Sequence, residues 1–179
     1  PKAKNLIGDF YAPIFVSIDP DFLKTLPRRE LRAGLYEVVK YGMIASSEIL
    51  ERLENHMSSY FSHDPAILIP TIEESCKIKS AIVSADERES NLRRVLNLGH
   101  TTGHALEALT KYQRFRHGEA VAYGLLVAAS LAVNREVLTE ADRDVLVNLI
   151  RQMGPRPPIT DLSAKEALQV IRHDKKVLR

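Results

Sequence analysis

The stretch LNLGHTTGHALE, residues 96–107, sets His100 and His104 four positions apart, each preceded by glycine. Four helical residues turn through about 400°, so the two imidazoles would share one helix face about a turn apart. Such a pair can grip a metal, or one imidazole can bind while the other moves protons. His117 stands before Gly118, just ahead of the apolar run AVAYGLLVAASLAV at 120–133, and Glu37 sits among apolar residues in LYEVVKYG. Polar groups in buried segments are costly unless they are paired or coordinate a metal. Glu37, His100 and His117 would make a mixed oxygen–nitrogen set of three ligands with a fourth position open, the pattern of a catalytic zinc site. By spacing alone, His100 and His104 are the more obvious pair. The zinc-peptidase helix needs glutamate directly after its first histidine, and Thr101 stands there instead. At this level, which of these histidines bind metal stays open.

Other polar residues sort around this group. Lys40 follows Glu37 by three positions, close to the same helix face. Lys79, Arg93 and Arg94 flank the histidine segment, and Asn97 lies a turn before His100. Basic groups converging on a histidine–glutamate cluster suit a small, strongly anionic substrate, with Arg reading a carboxylate through two parallel hydrogen bonds. His56 and His63 read as surface or capping residues. The single cysteine, Cys76, excludes an intrachain disulfide and a multi-thiolate zinc site, and reads as a half-buried helix residue.

The elements that must position these groups are mostly helices. Residues 13–19, PIFVSID, read as a short strand, giving one or two strands at the N-terminal end of a mainly α fold. A helix is expected from Pro27 onward, with Gly42 interrupting or ending its first part. Residues 69–86 read as a second amphipathic helix, with the charged 87–97 segment leading to the His100 helix. Thr139 is a plausible N-cap and Gly154 a stop, while Ser163 and Glu166 match a capping box. The run at 120–133 is too short to span a bilayer and reads as a buried helix.

The chain has 179 residues, 45% hydrophobic and 27% charged, with a net charge of +2 and no block of like charges. That suits one well-cored domain and argues against a nucleic-acid or membrane partner. No leader pattern opens the chain, so a reducing, cytoplasmic setting is expected. Both ends look cut, as though from a longer protein.

Four segments, KNLIGDFYAP, DFLKTLPRRELRAGLYEVVKYG, DERESNLRRVLNLGHTTGHALE and HGEAVAYG, together resemble the C-terminal helical half of 3-dehydroquinate synthase, a sugar phosphate cyclase. The resemblance implies a two-domain enzyme in which residues 1–26 lead from an NAD-binding Rossmann-like domain, absent here, into a helical domain at 27–179. No G-x-G-x-x-G occurs in the chain. It implies conversion of 3-deoxy-D-arabino-heptulosonate 7-phosphate to 3-dehydroquinate and phosphate in the shikimate pathway, with NAD+ and Zn2+ or Co2+. The ligands it implies are Glu37, His100 and His117, leaving His104 and Glu89 for proton transfer. Substrate contacts carry over to Lys79, Arg93, Asn97, Lys40, Asn5, and Lys175 or Lys176. Contacts to NAD carry over to Lys4, Phe22, Leu23, Lys24 and Thr25. A homodimer is implied for the whole enzyme, and inactivity for this piece alone. Asp9, Tyr36 and Thr102 depart from the family's usual residues. The alternatives are a valiolone-type or 2-deoxy-scyllo-inosose synthase, a metal-dependent polyol dehydrogenase, or a non-catalytic helical module.

Overall fold

A computed structural model of the chain describes residue 11 and residues 13–173. Among these residues the regular elements are helices. They are α1 (Arg28–Ala45), α2 (Ser47–Asn55), α3 (Met57–Phe61), α4 (Pro65–Ala85), α5 (His100–Leu109), α6 (His117–Asn134), α7 (Glu140–Gln152) and α8 (Ala164–His173). Short 3-10 turns span Pro20–Thr25 and Leu92–Asn97.

The boundaries follow local chemistry. Pro27 precedes α1, where a missing N–H costs nothing. α1 runs through Gly42, which serves packing: a Cβ at 42 would stand 2.6 Å from the Leu50 side chain, so glycine lets α2 fold back against α1. α4 starts at Pro65, with the Asp64 carboxylate accepting from the Ala66 amide at 2.9 Å. The helix thus begins before the expected start at 69, and Pro70 lies inside it. Thr139 caps α7 by accepting from the Asp142 amide at 3.1 Å, and Gly154 follows that helix with φ +108°.

The expected strand at 13–19 does not form, and no strand occurs among the described residues. A strand needs a neighbour for its backbone N–H and C=O groups. Among the described residues this segment has none, and Ile14, Phe15 and Val16 are exposed. Cys76 is exposed rather than half-buried, beside Ile69 and Ile72 in a groove between α4 and residues Ile18 and Pro20.

The main core joins Leu35, Tyr36 and Val39 of α1 to Ile49 and Leu53 of α2, Val121 and Leu125 of α6, and Leu149 and Ile150 of α7. α6 is the axis of the fold: its first half is almost wholly buried, and α1, α5 and α7 pack on it. Two glycines set how closely. A Cβ at Gly118 would lie 1.9 Å from the Ala33 carbonyl oxygen, and one at Gly124 would lie 1.8 Å from the Gly99 carbonyl oxygen. Only glycine lets the α6 backbone sit this near α1 and the start of α5. No helix among the described residues is long and apolar enough to cross a membrane.

Candidate metal centre

Three elements aim their side chains at one point. Glu37 lies midway along α1, His100 opens α5 and His117 opens α6. Gly99, at φ +79°, turns the chain so that α5 starts with its first imidazole pointing at α6. An ion pair between the buried Glu119 and the half-exposed Arg29 locks the other approach. Arg29 of α1 donates to both oxygens of Glu119, at 2.7 and 2.6 Å, and to the Arg114 carbonyl at 2.9 Å. Glu119 also accepts from the Arg116 amide at 2.9 Å, capping α6. Burial alone would raise the Glu119 carboxyl, but these donors and the charges of Arg29 and Arg32 hold it below the usual carboxylate range.

The donor atoms stand close together. Glu37 Oε1 is 3.6 Å from both His100 Nε2 and His117 Nε2, and the two Nε2 atoms are 3.3 Å apart. Donors about 2.0–2.1 Å from a tetrahedral ion stand about 3.4 Å from one another. The protons settle what these contacts are. His100 Nδ1 faces the Leu98 carbonyl at 3.2 Å, and His117 Nδ1 faces both oxygens of Glu107 at 3.3 and 3.4 Å. A carbonyl and an ionised carboxylate only accept, so each Nδ1 carries a hydrogen, and in the neutral form of each ring Nε2 then presents a bare lone pair.

Glu37 Oε1 is buried and has no hydrogen-bond partner, while Oε2 accepts from the buried Lys40 ammonium at 2.5 Å. Burial pushes the His100 imidazole below its ordinary value against the opposing pull of the Glu37 charge, which favours the neutral, ligating form. With both imidazoles neutral and protonated at Nδ1, three acceptors face one another at tetrahedral spacing, an arrangement that repels itself unless a cation sits between them. The residues fit a divalent metal.

His104 lies beside this set, its ring centroid 5.5 Å from that of His100 and 5.8 Å from that of His117. His104, Glu107 and His117 also bring one donor each within 4.8 Å of one another. The Glu37 trio matches tetrahedral spacing, and His117 Nδ1 is occupied by Glu107.

A second cluster forms at the loop after α4. The buried Asp86 carboxylate accepts from the amides of Ser90 and Asn91 at 2.8 Å and of Arg93 at 3.0 Å, and from the Ser90 hydroxyl at 2.9 Å. These hydrogen bonds hold its carboxyl far below the usual range. The loop they close carries Glu89 at φ +56°, whose Oε1 accepts from Asn97 Nδ2 at 2.7 Å. Arg93 donates to the Glu87 carbonyl at 2.6 Å.

Of the residues named from sequence, Glu37, Lys40, His100, His104 and His117 meet in one cluster, and Glu89, Arg93 and Asn97 in the other. Lys79 is exposed on α4, against which the Leu92–Asn97 turn packs. Phe22, Leu23, Lys24 and Thr25 form the turn after residue 19, with Leu23 against the core and Lys24 paired to Asp21 at 2.8 Å. Lys4, Asn5, Asp9, Lys175 and Lys176 lie outside the described residues. Tyr36 faces the core and is fully buried.

Sequence reasoning missed Glu107 and Asp86. Glu107 lies three positions after His104 and between Leu106 and Ala108, so the buried-carboxylate argument made for Glu37 applied to it equally.

The chain matches the family described as 3-dehydroquinate synthase C-terminal over residues 34–177, and that described as 3-dehydroquinate synthase N-terminal over residues 1–33. It is 46% identical to the 3-dehydroquinate synthase of Picosynechococcus sp. (strain ATCC 27264 / PCC 7002 / PR-6), over 99% of this chain and 49% of that protein. It is 44% identical to that of Pseudomonas aeruginosa (strain UCBPP-PA14), over 99% and 49%. Among solved structures, 2-deoxy-scyllo-inosose synthase complexed with carbaglucose-6-phosphate, NAD+ and Co2+ matches with TM-score 0.83 and 29% identity, over 97% of this chain and 48% of that one. ValA, the 2-epi-5-epi-valiolone synthase of Streptomyces hygroscopicus subsp. jinggangensis 5008 with NAD+ and Zn2+, matches with TM-score 0.77 and 25% identity, over 86% and 43%. The chain spans about half the length of the curated relatives it matches. It belongs to the 3-dehydroquinate synthase family.

Proposed function

We propose that this chain is the metal- and substrate-binding half of a 3-dehydroquinate synthase. The whole enzyme would be an NAD- and metal-dependent carbon–oxygen lyase, forming 3-dehydroquinate and phosphate from 3-deoxy-D-arabino-heptulosonate 7-phosphate in the shikimate pathway. The observation that carries this reading is the convergence of Glu37 Oε1, His100 Nε2 and His117 Nε2 at the spacing of ligands about one tetrahedral ion, in a chain of this family. Residues 1–26 would connect a nucleotide-binding half to the helical unit at 27–179. The complete enzyme would work as a cytoplasmic homodimer, and this half would be inactive alone.

Glu37, His100 and His117 would hold Zn2+ or Co2+, which when bound supplies a Lewis acid for substrate oxygens. NAD+ would supply hydride chemistry, and Lys4 with the turn carrying Phe22, Leu23, Lys24 and Thr25 would be this chain's contacts to it. Lys40 fixes the Glu37 carboxylate by engaging Oε2 and freeing Oε1 for the ion. His104, beside both ligating rings, would move protons at the substrate. Glu89, oriented by the Asn97 amide, would act as the second acid/base group. Arg93, Asn97, Lys40 and Lys79, with Asn5 and Lys175 or Lys176, would contact an anionic sugar phosphate, Arg93 suiting its carboxylate.

Ring-forming relatives such as the valiolone and deoxy-inosose synthases share the fold. The higher identity to the 3-dehydroquinate synthases, 46% and 44% against 25% and 29%, favours the heptulosonate as substrate. A polyol dehydrogenase would have no use for the basic residues. The test is phosphate release by the full-length parent from the heptulosonate phosphate, run beside the sugar phosphates of the other cyclases. Release from the heptulosonate alone supports the reading, and release only from another sugar phosphate overturns it.

A further inference from the structure

We infer that Glu107 is the positioning residue of the metal centre: it fixes His117 in the Nδ1–H tautomer and so delivers His117 Nε2 as a ligand. The inference rests on the reading of Glu37, His100 and His117 as a metal set.

The geometry is direct. Glu107 lies on α5, seven positions after His100 and three after His104, so these residues share one face. Its carboxylate crosses to the start of α6, where both oxygens meet His117 Nδ1, at 3.4 and 3.3 Å. The Glu107 side chain is 6% exposed and that of His117 40% exposed. The carboxylate is therefore held by the protein interior, while the half-exposed imidazole it grips presents Nε2 to the Glu37 oxygen. A ring at a helix start has two flips and two tautomers open to it. Pinning Nδ1–H to a fixed acceptor selects one combination and raises the basicity of the opposite nitrogen.

His100 is served differently. Its Nδ1–H meets the Leu98 carbonyl at 3.2 Å, a neutral acceptor already set by the turn into α5. The two imidazoles thus have unequal support, one from a dipole and one from a full charge. His104, Glu107 and His117 also approach one another closely enough to ligate. The alternative role for Glu107 is therefore direct ligation, and the experiment separates the two.

Zn2+ and Co2+ affinities of the chain are measured by competition with a chromophoric chelator, with the cobalt d–d spectrum and the 15N shifts of His117 recorded on each bound form. Glu107→Gln keeps the shape of the side chain and removes its charge; Glu107→Leu removes the acceptor altogether. Circular dichroism checks that both fold, and if Glu107→Leu does not, Glu107→Gln decides alone. Outer-shell support of this kind is worth about 10–100-fold in metal affinity. Glu107→Gln is expected to weaken binding within that range with the cobalt spectrum unchanged in form. Glu107→Leu is expected to weaken it further and to shift the His117 nitrogens toward a mixed tautomer. Affinity within twofold of wild type in Glu107→Gln, with His117 nitrogen shifts unchanged, overturns the inference while leaving the metal centre standing. A changed cobalt spectrum in Glu107→Gln overturns it in favour of direct ligation. A wild-type chain that binds neither ion, with Glu37→Gln indistinguishable from it, fails the metal reading itself.

Discussion

Gly118→Ala tests how packing remote from the donor atoms builds the centre. A Cβ at 118 would stand 1.9 Å from the Ala33 carbonyl oxygen and 2.6 Å from the Ala33 carbonyl carbon. An unstrained contact needs about 3.2 Å or more, so α6 must retreat from α1 by about 1.3 Å. The opposing atoms are backbone, which cannot swing aside. The cost therefore belongs at the upper end for overpacking, about 3 kcal/mol. For a chain of this size that is a fall in Tm of about 6–12 °C. The retreat also reaches the metal set. Glu37 lies one turn beyond Ala33 on α1, and His117 is adjacent to Gly118, so the 3.6 Å gap between Oε1 and Nε2 opens toward 5 Å (roughly). Zn2+ affinity should drop by about 100-fold, comparable to losing outer-shell support. Gly34→Ala is the control on the same helix. Nothing lies within 4 Å of a Cβ there, and the site is exposed in mid-helix. That variant should gain about 0.5–1 kcal/mol and bind Zn2+ as wild type does. Thermal melts and chelator-competition titrations on the three proteins read both effects. A Gly118→Ala protein with wild-type Tm and affinity would refute the argument that this glycine sets the spacing of the site.

Two further outcomes are expected. Glu119→Gln should cost about 1–2 kcal/mol, because it takes the charged partner from the Arg29 guanidinium, which water still reaches, at the α1–α6 junction. The Glu119 carboxyl is held below its ordinary range, so its contribution is complete above about pH 5 and is lost as pH falls through the native value. Wild type should therefore lose more Tm than Glu119→Gln between neutral and acid pH, and parallel curves would contradict this. Asp86→Asn should release the loop after α4, since an amide oxygen and an NH2 group cannot replace two carboxylate oxygens accepting from Ser90, Asn91 and Arg93. Hydrogen exchange at those amides should speed up by at least tenfold (roughly) with the helices unaffected, and unchanged protection would show that the carboxylate is dispensable.

Much of the centre was legible because its signals are local. Glu37 in an apolar helix, and histidines beside Gly99 and Gly118, each mark a polar group where close backbone approach is needed. The glycines turned out to serve helix against helix: Gly118 against Ala33, and Gly124 against Gly99. Spacing favoured the pairing of His100 with His104, whereas the fold brings His117 Nε2 to 3.3 Å from His100 Nε2. That is a contact across 17 positions, which helical periodicity cannot report. The Arg29–Glu119 pair spans 90 positions and was invisible for the same reason. Residues 13–19 misled through composition: β-branched and aromatic side chains mark a strand only where a neighbouring strand exists. Glu107 was a missed inference rather than a hidden one.

The measurement that bears most directly on the central claim is the Zn2+ affinity of four single variants, Glu37→Gln, His100→Ala, His117→Ala and His104→Ala, beside wild type. The account predicts that the first three lose tight binding and that His104→Ala keeps it. Tight binding retained in Glu37→Gln but lost in His104→Ala would contradict it and move the metal to the other face of His117.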